Sequence, residues 1–194
     1  MTFLTETGAS GTAREVSPSI IPRGAVPIDD EAARLDALRR TGLLDSEPEP
    51  AFDDLVCWAC DHFHVPIALV SLLDADRQWF KARRGLAVQE TSRDIAFCRF
   101  TIRQSLPMVV EDAACDPRFQ NNPLVLGEPH IRFYAGAPII NREGLALGSV
   151  CLIDTVPRSF GTVDRMVLAQ LTVTALAAIE RRRDEKLQSE NRRS

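Results

Sequence analysis

The sequence lacks any general excess of positive charge: 23 Lys and Arg against 27 Asp and Glu leave a net charge of −4. No broad cationic field is available to draw in nucleic acid or anionic lipid, so neither is expected as a partner. Long apolar runs are missing as well, none approaching the roughly 20 residues that cross a bilayer. Residues 1–27 show no basic start followed by a hydrophobic block, the mark of a secretory leader. A cytoplasmic protein with no membrane attachment is expected. Cysteine is sparse and unframed: the five at positions 57, 60, 98, 115 and 151 are odd in number and irregular in spacing, which suits a reducing compartment and a fold without disulfides. Walker loop, dinucleotide glycine fingerprint, nucleophile elbow and His-Glu-x-x-His are all absent. The commonest signatures of nucleotide, hydrolase and metalloprotease chemistry are thereby missing.

What is present is 45% hydrophobic and 26% charged over 194 residues, the composition of one globular domain with tails. The domain is placed at 28–186. Residues 1–27, rich in Thr, Ser, Gly and Pro, carry too little large apolar surface to offset the entropy of ordering and are expected to be a disordered tail; 187–194 form a polar one.

Asp29 or Asp30 can cap a helix at Glu31 to Arg40, closed by Gly42 and carrying Leu35 and Leu38 on one side. A second helix, from about Pro50 to Phe63, spaces Phe52, Leu55, Val56, Ala59 and Phe63 on one stripe. Pro66 to Leu73 is almost continuously apolar and suits a central strand covered on both faces. Gln78 to Arg84 is its hairpin partner, with Phe80 and Ala82 opposing Trp79, Lys81 and Arg83. A helix from Ser92 or Asp94 to Gln104 is predicted to align Ile95, Cys98 and Ile102. Leu106 to Val110 is a short strand, and 111–128, rich in turn formers, is a long, partly helical excursion of the kind that often carries function. Strands at Ile131 to Ile140 and Leu145 to Ile153 are joined by a turn at Asn141 to Gly144. A last helix from near Thr162 to about Lys186 carries an apolar band that gives way to Glu-Arg-Arg-Arg-Asp-Glu-Lys. This order predicts an α+β fold, an antiparallel sheet flanked by helices.

Several blocks then resemble the GAF domains of bacterial signalling proteins. They are Pro66-Ile-Ala-Leu-Val-Ser-Leu-Leu-Asp74, Arg77-Gln-Trp-Phe-Lys-Ala82, Phe97-Cys98, Asp116-Pro-Arg-Phe119, Asn122-Pro-Leu-Val125, the stretch 129–139, and Leu147-Gly-Ser-Val-Cys-Leu-Ile-Asp154 with Pro157-Arg158. Together they cover about residues 29–185, in a subgroup often fused to histidine kinases or diguanylate cyclases. The resemblance implies a six-stranded antiparallel sheet related in shape to PAS domains, a small-molecule pocket on one face, and N- and C-terminal helices on the other that dimerise and pass on a signal. Arg181 to Ser194 is too short for an output domain, so a non-enzymatic sensor acting on a histidine kinase or diguanylate cyclase in trans is expected.

The pocket is expected to draw on Phe97, Cys98, Asp112, Arg118, Phe119, Asn122, Arg132 and Tyr134, and the dimer on Leu35, Leu38, Leu168, Leu171, Ala175 and Ile179. If 129–139 is a strand throughout, His130, Arg132 and Tyr134 share one face and Ile131, Phe133 and Ala135 the other. A buried Arg132 must then pair with Asp112, Asp116 or Glu128, bind an anionic ligand, or reach water. Cys57 and Cys60 form a Cys-x-x-Cys, but His62 and His64 do not converge with them on a helix end, and no metal site is assigned. No cofactor is assigned either: the Asn-Lys dipeptide of cyclic-nucleotide-binding members and the thiol-histidine run of bilin-binding ones are both missing. Two rival expectations stand beside the sensor. One is a thiol-dependent reductase of the free methionine sulfoxide reductase type, using Cys98 or Cys115. The other is a structural domain whose pocket has collapsed onto residues 97, 119 and 134.

Overall fold

Asp30 accepts a hydrogen bond from Ala33 N at 2.7 Å, and this cap starts the first helix, α1 (Glu31–Arg40). The computed structural model describes residues 30–192, so the expected tail 1–27 lies outside the described residues. Pro50 opens α2 (Pro50–Phe63) at the first-turn position where its missing N–H costs nothing. Strands β1 (Ile67–Leu73), β2 (Arg77–Arg84) and β3 (Glu90–Ser92) follow, then the one-turn helix α3 (Cys98–Thr101), β4 (Met108–Val110), the one-turn helix α4 (Pro123–Leu126), β5 (Phe133–Ile140), β6 (Ala146–Asp154) and α5 (Thr162–Asn191). The six strands form one antiparallel sheet in the order β3-β2-β1-β6-β5-β4. The fold is α+β, as expected.

β1 is buried at every position because both of its faces are covered. Ala68, Val70 and Leu72 join a core shared with α1, α2 and α5; Ile67, Leu69 and Leu73 join a second core on the opposite face. That second core is closed by residues 96–131, through Ala96, Phe97, Ile102, Phe119, Val125 and Ile131. The sheet therefore separates a helical side from a side covered by short helices and loops.

Four local expectations are corrected. A bulge between Val70 and Ser71 pairs Ser71 with Phe80 and Val70 with Ala82, so Phe80 faces the second core while Ala82 joins Trp79 on the helical side. The continuous helix predicted from Ser92 or Asp94 to Gln104 is broken: Ser92 caps a 3-10 turn (Arg93–Ile95), and Ala96 is extended. Asn122 Nδ2 takes up the Ile95 carbonyl at 2.8 Å, where a helix would have used a backbone N–H. β5 begins at Phe133, not Ile131, after a left-handed His130. As a result Ile131 and Tyr134 share the second core while Phe133 and Ala135 face the helices, and Arg132 sits before the strand, paired with Asp112.

The fourth correction concerns the helices. Leu38, Leu168, Leu171, Ala175 and Ile179, expected at a dimer interface, are buried in the chain's own core, and Leu35 is half-buried. The outward side of α5 presents Val163, Met166 and Val173 instead. By length and composition the helix at Thr162–Glu185 also contains an 18-residue window apolar enough to span a membrane, with mean hydropathy 1.3, contrary to the sequence reading. It packs on the sheet along one side, through Leu168, Leu171, Ala175 and Ile179.

Candidate functional site

The non-helical face of the sheet carries a cavity of about 420 Å³, within the size range that accepts small organic ligands. Its floor is the sheet: Ile67 and Leu69 from β1, Gln78 and Phe80 from β2, Tyr134 from β5, and Cys151 and Ile153 from β6. Its walls are residues 96–98, the loop 85–88 and the end of the excursion at Leu124, Glu128, Pro129 and Ile131.

Local chemistry holds these walls in place. Asn122 Oδ1 accepts from Leu124 N at 2.9 Å and caps α4, while its amide nitrogen donates to Ile95 O, so one side chain bolts the excursion to the segment before α3. Ile131 N donates to Leu124 O at 2.8 Å and draws the end of the excursion inward. At Gly85 the chain leaves β2 with φ +79°, and a Cβ there would lie 2.0 Å from Pro66 O. Only glycine accommodates that departure.

Beneath the apolar lining lies a compact polar cluster. Tyr134 Oη and Thr101 Oγ1 are 2.7 Å apart, Tyr134 Oη donates to Cys98 Sγ at 3.4 Å, and Ser71 Oγ donates to the same sulfur at 3.3 Å. Ser71 and Ser149 share a hydrogen bond at 3.0 Å, and Cys98 Sγ lies 3.8 Å from Cys151 Sγ. Burial pushes the Cys98 thiol up, but the hydrogen bonds converging on its sulfur outweigh burial and bring it down to about 6. Cys151, hydrogen-bonded to Cys98 and buried, moves the other way, well above the ordinary thiol range. The two neighbouring sulfurs therefore titrate as a coupled pair and not independently.

Of the eight residues expected at the pocket, Phe97, Cys98 and Tyr134 border the cavity. Phe119 stands one layer back, its ring stacked on Phe97 with centroids 4.0 Å apart, and Asn122 braces the wall without lining it. Asp112, Arg118 and Arg132 lie elsewhere. Arg132 donates to both oxygens of Asp112 at 2.7 Å, and Arg118 donates to both oxygens of Asp116 at 2.9 and 2.6 Å. Each cation is held by a carboxylate of the excursion itself. Cys115 is exposed, 3.5 Å from Asp112 Oδ2.

Phe97 packs on both Phe119 and Tyr134, yet a cavity remains beside Phe97 and Tyr134. Sequence reasoning missed Gln78, Phe80, Leu86, Val88, Ile131 and Cys151. Alternation along β2 would have put Gln78 and Phe80 on one face; the loop residues gave no such signal. No group of three or more metal-ligating side chains converges among the described residues.

A family model described as GAF domain matches residues 47–180. The chain belongs to the GAF domain family. A cyclic di-GMP phosphodiesterase of Pseudomonas aeruginosa is 46% identical over 130 residues, a match that spans 67% of this chain and 22% of that protein. The GAF domain of a phosphoenolpyruvate-protein phosphotransferase from Coxiella burnetii superposes with a TM-score of 0.61 at 19% identity, covering 79% of this chain and 96% of the other. The corresponding GAF domain from Acinetobacter gives 0.59 at 21% identity, with 77% and 93% covered. At such identities the two structures speak for the fold alone. In this GAF domain the cavity and the terminal helices lie on opposite faces of the same strands, and β5 and β6 send alternate side chains to each.

Proposed function

We propose that this GAF domain is a cytoplasmic, non-enzymatic sensor module that binds a small molecule in the cavity and passes the event to α5. The observation that carries this reading is the sidedness of β5 and β6: Tyr134, Cys151 and Ile153 face the cavity, while Phe133, Ala135, Val150 and Leu152 face the helices. A ligand that favours one arrangement of these strands biases the helix packed behind them, by no more than the difference in its affinity for the two arrangements.

The helical output is a homodimer. Val163, Met166, Val173 and Ala177 are exposed on the outer side of α5 at spacings that return to one face of a helix, and this stripe is not spent in the core. The regulated partner, acting in trans, is a histidine kinase or a cyclic di-GMP enzyme. The likeness to a protein named as a cyclic di-GMP phosphodiesterase favours the latter. Native mass spectrometry of the protein purified from its own cells tests the sensor reading: a retained small molecule is expected, and an empty chain under non-denaturing conditions counts against it.

The neighbouring sulfurs of Cys98 and Cys151 favour a second reading, a thiol-dependent reductase. Two thiols would supply two electrons and two protons to free methionine sulfoxide, leaving methionine, water and a Cys98 to Cys151 disulfide. Turnover with an added thiol reductant, lost in Cys98→Ser, is the result that would establish it.

A further inference from the structure

Among the described residues the charged side chains that line the cavity are carboxylates: Glu90, paired with Arg77, and Glu128 border it, and no described Lys, Arg or His does. Arg132 and Arg118 are tied to Asp112 and Asp116, outside it. A phosphate or carboxylate entering this space would lose its hydration and meet carboxylates instead of compensating cations, which is unfavourable at both steps.

The polar groups on the floor are mostly satisfied by one another. Tyr134 bonds Thr101 and Cys98, Cys98 has Ser71 and Cys151, and Glu90 accepts from Arg77 at 2.7 Å. Gln78 is the exception. It is 5% exposed, lines the cavity, and its Oε1 has no hydrogen-bond partner among the described residues. A buried amide oxygen without a donor is a standing cost that a ligand with the right group removes. The rest of the cavity lining includes Leu69, Phe80, Leu86, Val88 and Ile153, all apolar.

We propose that the cavity takes an uncharged, mostly apolar ligand bearing an N–H or O–H donor that the Gln78 amide turns to meet, and that it rejects anions, cyclic di-GMP among them. The proposal rests on the cavity reading above and names the class of molecule it serves. The relative's named substrate would then be the output chemistry of another protein and not the signal sensed here.

Four probes separate the possibilities on the full chain by calorimetry or ligand-observed NMR. Indole is small, apolar and carries one N–H; benzofuran has the same shape with no donor; indole-3-carboxylate adds an anion; cyclic di-GMP is a dianion. Indole is expected to bind roughly ten-fold more tightly than benzofuran, with no binding of the two anions. Gln78→Leu is expected to remove the preference for indole while leaving benzofuran unchanged. Equal affinity of indole and benzofuran for the unaltered protein overturns the role of Gln78 whether or not the variant folds. Binding of either anion at the cavity overturns the charge argument and leaves the sensor reading standing. Failure of every probe, together with an empty protein in native mass spectrometry, brings down both.

Discussion

The ring of Tyr134 lies over Gly136 so closely that a Cβ at position 136 would sit 2.1 Å from the tyrosine hydroxyl. The two residues are on the same face of β5 and opposite Val110 and Met108 of β4. Glycine is needed here for space, so that the tyrosine can fold down and reach Thr101 and Cys98. Gly136→Ala is expected to force the ring up into the cavity, break the bond to Thr101 and destabilise the fold by about 1–3 kcal/mol. Tyr134 is the chain's one tyrosine, so its near-ultraviolet and NMR signals report the displacement directly. An unchanged tyrosine environment in the variant would contradict it.

α1 is anchored by a charge that no hydrophobic pattern announces. Arg34 is 1% exposed and donates to Leu73 O at 2.6 Å and Ala146 O at 3.2 Å, with Glu31 accepting from it at 2.8 Å. Partial burial raises the Glu31 pKa, but hydrogen bonds from Arg34 and Arg93 prevail and bring it from 4.5 to about 2. Since the folded value lies below the unfolded one, the stabilisation is fully present above about pH 4.5 and is lost as pH falls towards 2. The gap in urea midpoint between wild type and Glu31→Gln is expected to be widest near neutrality and to shrink across that window. A gap independent of pH would refute the assignment.

Asp112 and Arg132 should matter for order in the excursion and not for what the cavity binds. The hydrogen bond from Arg132 is the main cause of the depressed Asp112 pKa, about 2, and the Arg132 carbonyl also accepts from Ala113 N at 2.6 Å. Asp112→Asn is expected to speed hydrogen exchange over 111–119 while leaving indole affinity within two-fold, roughly. Loss of binding without faster exchange would place the pair in the site after all.

The two sides of α5 make opposite predictions. Leu171 is buried against the sheet and Val173 is 56% exposed. Leu171→Glu buries an unpaired charge and should cost several kcal/mol, enough to unfold a marginal domain. Val173→Glu should leave the melting temperature within a few degrees but turn the dimer into a monomer by light scattering. A wild-type monomer at tens of micromolar removes the dimer altogether.

Thiol accessibility gives a further check. Cys57 and Cys115 are exposed, whereas Cys60, Cys98 and Cys151 are buried. Brief treatment with iodoacetamide should therefore add two labels to the native protein and five after denaturation. Rapid labelling of Cys98 at neutral pH would mean that the cavity admits the reagent, and would strengthen the reductase reading.

The regular elements were legible wherever local chemistry and tertiary packing agreed. Pro50 at a helix start, Asp30 as a cap, Gly42 at φ +63° and Gly144 at φ +82° stand where the sequence placed a start, a cap, a stop and a turn. Cys98, Phe97 and Tyr134 were legible as cavity residues through the family likeness. Gln78 was not, since an amide on a strand looks the same whether its oxygen meets water, a backbone donor or nothing.

From order and periodicity alone came the α+β class and the doubly covered central strand, and from the likeness of several sequence blocks came the family. These depend on which residues recur at which spacing along one chain. The tertiary structure alone decided that Leu168, Leu171, Ala175 and Ile179 of α5 face inward, that Arg118 and Arg132 are neutralised by carboxylates of the excursion, and that a buried amide without a partner for its oxygen lines an apolar cavity. Each of these turns on which groups meet across the fold. Burial sets the energetic value of a charge or a hydrogen-bonding atom, and burial is a property of the assembled structure and not of any residue within it.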